Sequence, residues 1–151
     1  LARAAGSHGM VGGQMIDLLS EHEDLDVGEI ARLQQLKTGA LIAFACESGA
    51  ILGKADQDER HALHAYAYDL GLTFQTTDDL LDAEGSPEQI GKAVGKDEGR
   101  GKATVVSLLG IEAARQQAQR LADQAVTHLA HFGPRADLLR ELTSFVINRR
   151  I

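Results

Sequence analysis

FQTTDDLLD, residues 74–82, places three carboxylates, Asp78, Asp79 and Asp82, on a stretch whose spacing is helical. It closes a longer pattern in which Leu63, Ala67, Leu70, Phe74, Thr77 and Leu81 recur at steps of four and three, giving one mostly apolar helical stripe. At about 100° per residue, Gln75, Asp78, Asp79 and Asp82 form a second stripe that borders the first. A solvated face would lie opposite the core, so these acids are expected to line the rim or upper wall of a cavity between helices. All three can reach one point beside the helix, where like charges cost about 0.2–0.5 kcal/mol per pair if exposed and more where water is scarce. A divalent cation reverses that sign, and oxygen ligands of this kind suit Mg²⁺ completed by waters and substrate phosphate. For the motif on its own, a solvated acidic face is the competing reading.

The rest of the chain is patterned as helix. Aromatic residues make up 4% of the 151, there are two prolines, and Ala, Leu and Gln abound without an alternating strand pattern, so an all-α helical bundle is expected. Asp26-Val27-Gly28-Glu29 and Asp56-Gln57-Asp58-Glu59 both read as helix starts, an aspartate cap followed three residues later by glutamate. Helices are predicted over 1–19, 27–52 and 57–84, then from Thr104 to a break at Gly110, over 111–132, and after Gly133-Pro134. Between them, residues 85–101 carry five glycines among many charges and read as a mobile loop, with one helical turn possible from Ser86-Pro87.

The totals set limits on partners. A net charge of −7 and a pI near 5.3 disfavour a general nucleic-acid or anionic-membrane surface, but a small anionic substrate can still be held by a local basic site or a metal. Cys46 is the only cysteine, so no intramolecular disulfide forms; its setting in LIAFACES reads as a small buried residue, and the location leans cytosolic. No apolar run reaches the roughly 18–20 residues a bilayer span needs, and LARAAGSHGM lacks the order of a signal peptide. The chain opens on Leu1, which is expected to mark a piece of a longer protein.

Two basic elements complement the acids. On the helix that carries LQQLKTGALIAF, Ile30, Leu33, Leu36, Leu41 and Phe44 define an apolar face, and helical rotation puts Lys37 within it. Either its stem packs while its head reaches water, or it is a phosphate ligand assisted by the Thr38 hydroxyl. In GKAVGKDEGRGKAT, Lys92, Lys96, Arg100 and Lys102 alternate with glycines, a composition suited to a lid over a polyanion or simply to a solvated loop. It is not a nucleotide P-loop, since Ala103 follows Lys102 where Ser or Thr is needed. His61/His64 and His128/His131 read as surface pairs and not as a zinc site. The glycines of GMVGGQMIDL are expected to permit close helix packing.

Taken in order, GMVGGQMIDL, LKTGALI, GLTFQTTDDLLD and IGKAVGKDEGRGKAT resemble the C-terminal half of the trans-polyprenyl diphosphate synthase family, in particular bacterial farnesyl diphosphate synthases. The resemblance implies an all-α bundle of the isoprenoid synthase type, one domain over 1–151, around a deep cavity with two aspartate-rich motifs facing across its mouth. DDLLD resembles the second motif. The implied reaction joins an allylic diphosphate to isopentenyl diphosphate with Mg²⁺. By position, Asp78 and Asp82 would hold the metal with Asp79 in support; Lys37, Thr38 and Gln75 would lie near the allylic diphosphate and the developing cation. Lys92 and Lys102 would bind diphosphate, and Phe74 would border the isopentenyl site. Val105 and Val106 stand where many members have an aromatic residue and a proline. The first aspartate-rich motif is absent, so the chain alone is expected to be inactive, and homodimer formation follows the family. The alternative is a non-catalytic helical subunit that pairs with an active partner. Product length is open, with farnesyl diphosphate favoured by resemblance only.

Overall fold

The structure, a computed structural model, describes residues 1–20, 25–85 and 104–149. Within them α1 (Ala2–Ala5), α2 (Met10–Leu19) and α3 (Val27–Gln34) lead into a π-helical stretch, Gln35–Gly39. Next come α4 (Ala40–Leu52), α5 (Gln57–Gly85), α6 (Val105–Leu109), α7 (Ile111–His128), a 3-10 segment (Ala130–Ala136) and α8 (Asp137–Asn148). There is no strand among the described residues, and none of their helices is long and apolar enough to cross a membrane.

Local signals set most boundaries. Asp26 Oδ1 accepts from the Glu29 amide at 2.8 Å while the Glu29 carboxylate accepts from the Asp26 amide at 2.9 Å, so both predicted donors at the start of α3 are satisfied. Asp56 and Glu59 repeat the reciprocal pair at the start of α5, at 2.9 and 3.1 Å. Gly110 (φ 83°) separates α6 from α7 as expected. Gly133 (φ 58°) breaks the chain after α7, and Arg140 closes the gap by donating to the carbonyls of Gly133 and Leu129 at 2.8 and 2.7 Å.

Three boundaries differ from the sequence reading. The helix predicted over 1–19 is interrupted between Ala5 and Met10, where Gly6 is extended (φ −83°, ψ −158°) and caps α1. The helix over 27–52 is continuous but widens into the π-helical stretch, and α7 ends at His128, four residues early, in the 3-10 segment. The expected loop and helical turn over 86–101 lie outside the described residues, apart from Gly85, which ends α5.

α5 is the centre of the bundle, packed by α4, the π-helical stretch, α7 and α8. Because neighbours surround it, its buried residues are not confined to the predicted stripe: Tyr66, Thr73, Thr76 and Leu80 are buried alongside Ala67, Leu70 and Thr77, while Leu63, Phe74 and Leu81 are half-buried. Thr73 and Thr76 tolerate this by donating to their own helix, to the carbonyls of Asp69 (2.8 Å) and Leu72 (2.9 Å). α7 meets α5 through Ala114, Ala118, Ala122 and Ala125, side chains short enough for close approach. A buried pair joins the same helices, His128 Nε2 lying 2.9 Å from Asp69 Oδ2. Burial pushes the Asp69 carboxyl above its ordinary range and the His128 contact opposes that. His128 is thus a half-buried structural partner and not a plain surface histidine. Cys46 is half-buried, and burial raises its thiol, which keeps it protonated and inert.

α2 crosses the π-helical stretch at Gly13, where a Cβ would lie 2.4 Å from the Lys37 amide nitrogen. The packing role read for the GMVGGQMIDL glycines is thus seen at Gly13, while a Cβ at Gly9 or Gly12 would meet the backbone of Ala4 or Ser7 just before α2. Gly13→Ala is expected to destabilise the chain by about 1–3 kcal/mol, measured as a lower midpoint of thermal unfolding. An unchanged midpoint would show that the two segments are free to separate.

Candidate diphosphate and metal site

The π-helical stretch positions Lys37 and Thr38, as such widened turns do at many functional sites. Lys37 donates to Asp17 Oδ2 of α2 at 2.8 Å, and the Asp17 side chain is only 8% exposed. Thr38 Oγ1 donates to Gln75 Oε1 at 3.0 Å. Gln75 in turn donates weakly to Asp79 Oδ1 at 3.4 Å, and buried Gln34 of α3 donates to Asp79 Oδ2 at 3.2 Å. Four of the residues singled out in the sequence, Lys37, Thr38, Gln75 and Asp79, are therefore held in place by partners from α2, α3 and α5.

Asp78 sits one turn beyond Phe74 and is partnered from the far end of the chain. Arg149, just after α8, forms an ion pair with Asp78, donates to the Phe74 carbonyl at 3.2 Å and lays its guanidinium 4.1 Å over the Phe74 ring. Burial raises the Asp78 carboxyl above its ordinary 3.8; Arg149 opposes this, Asp82 adds to it, and Lys37 opposes it further. The effects of Lys37 and Asp82 on Asp78 show that the acidic stripe and the lysine share one electrostatic environment. Asp82, a turn further on, is exposed.

Among the described residues no three His, Cys, Asp or Glu side chains are placed to hold a metal ion by themselves. Asp78 and Asp82 fit Mg²⁺ by donor chemistry: both offer hard oxygen ligands, one turn apart, and their mutual repulsion is what a cation removes. Asp79, engaged by two amides, fits a supporting place. Lys92 and Lys102 lie outside the described residues.

Asp17, Gln34 and Arg149 were not singled out in the sequence. Asp17 had a signal, a lone acid on the otherwise apolar GMVGGQMIDL helix that needs a cation when packed. Gln34 had a weaker one, an amide amid the apolar face of α3. Arg149 had none, because its position depends on the path of α8.

The polyprenyl synthetase family model matches residues 4–132, and the chain belongs to that family. It is 42% identical over 150 residues to a dimethylallyltranstransferase of Fischerella ambigua, spanning 99% of this chain and 43% of that protein. It is 40% identical over 149 residues to a farnesyl diphosphate synthase of Micrococcus luteus, spanning 99% and 51% respectively. Among solved structures, an apo FPP/GFPP synthase from Zymomonas mobilis superposes with a TM-score of 0.83 at 51% identity, over 96% of this chain and 48% of that one. The chain thus has the isoprenoid synthase helical fold and spans about half the length of these relatives.

Asp17 and Lys37 are expected to couple. In a double-mutant cycle with Asp17→Asn and Lys37→Met, read by chemical unfolding, the interaction energy should be about 1–3 kcal/mol favourable. A value near zero would show that Lys37 is held by its other surroundings.

Proposed function

We propose that the whole protein is a prenyltransferase joining an allylic diphosphate to isopentenyl diphosphate, and that these residues form the half that holds the allylic diphosphate. The observation that carries this reading is the hydrogen-bonded chain from Thr38, next to Lys37 in the π-helical stretch, through Gln75 to Asp79 on α5. The activities of these relatives support it, and farnesyl diphosphate is the product favoured by that likeness.

Asp78 and Asp82, with Asp79 in support, would hold Mg²⁺, which when bound supplies positive charge against the diphosphate oxygens. Lys37, fixed by Asp17, contributes an ammonium beside the departing diphosphate. Thr38 and Gln75 are joined to one another, the hydroxyl hydrogen being given to the amide oxygen, so their outward oxygen lone pairs would stabilise the developing cation. The allylic carbon–oxygen bond then breaks with its electron pair leaving on the diphosphate; the isopentenyl double bond attacks the allylic carbon, and a proton is lost. Phe74 would border the isopentenyl site, and Lys92 and Lys102 would add charge to the diphosphate.

With about half its relatives' length, the 151-residue stretch on its own is proposed to turn over little. Exposed apolar side chains on α2 and α8, among them Leu19, Leu138 and Phe145, support association with further helices or a second copy, a homodimer included. A cytoplasmic location is part of the same proposal.

The test is an assay with labelled isopentenyl diphosphate, geranyl diphosphate and Mg²⁺. The whole protein should release one inorganic diphosphate per longer prenyl product, and Lys37→Ala or Asp78→Asn should each lower kcat/KM by about 100-fold or more. Wild-type rates in both variants would sink the assignment. Rapid condensation by the 151 residues alone would sink the claim that they need the rest.

A further inference from the structure

Asp78 is the first acid of the proposed metal-binding set, yet one of its oxygens is occupied by the Arg149 guanidinium. The guanidinium is 17% exposed and steadied by the face of Phe74 and by the Phe74 carbonyl. Asp78 itself is 40% exposed, so the guanidinium partners a carboxylate only partly withdrawn from water, at a rim that an ion can also reach. The pose is nevertheless incomplete. Arg149 Nε is buried without a hydrogen-bond partner, as is Thr77 Oγ1 of α5. An unmade buried hydrogen bond works against the pose that leaves it so.

There is also somewhere for the side chain to go. Next to the Asp78–Arg149 pair, a cleft of about 400 Å³ between α5, α7 and the end of α8 is lined by Thr77, Glu84, Arg115, Gln119 and Arg149 itself. Glu84, already paired with Arg115, offers carboxylate charge within that cleft, and Gln119 an amide oxygen.

We propose that Arg149 is an exchangeable counter-cation for Asp78: it neutralises the carboxylate while no metal is bound and withdraws into the cleft when a divalent cation takes its place. The inference rests on the metal-site reading above and deepens it. A guanidinium held on Oδ1 lessens the negative charge that Oδ2 offers a divalent ion and repels that ion, so every contact Arg149 makes with Asp78 weakens metal binding. Metal arrival is thereby coupled to release of the C-terminal end of α8 from Phe74, the residue proposed to border the second substrate. The device keeps the acidic stripe from repelling itself in the unloaded protein at the expense of affinity for the ion.

Mn²⁺ binding to the full chain, read from the electron paramagnetic resonance of the free ion, tests this without any turnover. Arg149→Gln should bind Mn²⁺ about five- to tenfold more tightly than wild type, the gain expected when one charge-assisted pair no longer competes, and Asp78→Asn should weaken binding in both backgrounds. Equal or weaker binding by Arg149→Gln, with wild-type binding still dependent on Asp78, overturns the exchange and leaves the metal site standing. Binding indifferent to Asp78 in both backgrounds overturns the two together. A side chain that only braced the fold would lower the unfolding midpoint when removed but would not tighten metal binding. On the unsubstituted chain, the Arg149 Nε–H NMR signal should shift as Mg²⁺ is added; a signal fixed at saturating Mg²⁺ overturns the proposal equally.

Discussion

Asp78 and Asp79, half-buried acids on a helix surrounded by neighbours, need partners, and meeting that need draws other segments to α5, while Asp82 stays exposed. Asp79 takes amides from Gln34 of α3 and Gln75 of its own helix, and Asp78 takes Arg149 from beyond α8. Lys37 bears on Asp78 electrostatically while being held by Asp17 of α2. Three stretches separated in sequence, α2, the continuous α3 and π-helical stretch, and the residues after α8, are therefore drawn to this acidic side of α5. Polar groups in such a setting specify geometry more than they add stability, because each must find its partner or cost more than an apolar replacement.

The geometry is set by small residues. Gly13 lets α2 lie against the backbone of Lys37. The π-helical widening at Gln35–Gly39 then places Lys37 and Thr38 on the side that faces Asp17 and Gln75. Gly71 of α5 allows the same crossing from the other side, since a Cβ there would meet the Gly39 Cα at 3.0 Å. The alanine face of α7 brings the opposite side of α5 into close packing. Site and fold are thus two consequences of one close crossing.

The fold class, the reciprocal caps at Asp26/Glu29 and Asp56/Glu59, and the start of α5 were readable because each rests on residues within four positions of one another. The proximity of Lys37 and Thr38 to the Gln75–Asp79 stretch came from resemblance, and the structure brings them together. The π-helical stretch was not readable: its widening satisfies a crossing with α2 that no local pattern encodes. Arg149 was hidden for the same reason, its partners Phe74 and Asp78 lying more than seventy positions away. The burial of Thr73 and Thr76 escaped an apolar-stripe argument because their hydroxyls are satisfied within the helix.

The account stands or falls on where a divalent ion lodges. With Mn²⁺ and inorganic diphosphate added to the ¹⁵N-labelled full chain, paramagnetic broadening of amide signals should be strongest over residues 78–82 and extend to Lys37. Broadening centred on the capping acids Asp56 to Glu59, or spread evenly over the acidic surface, would contradict it.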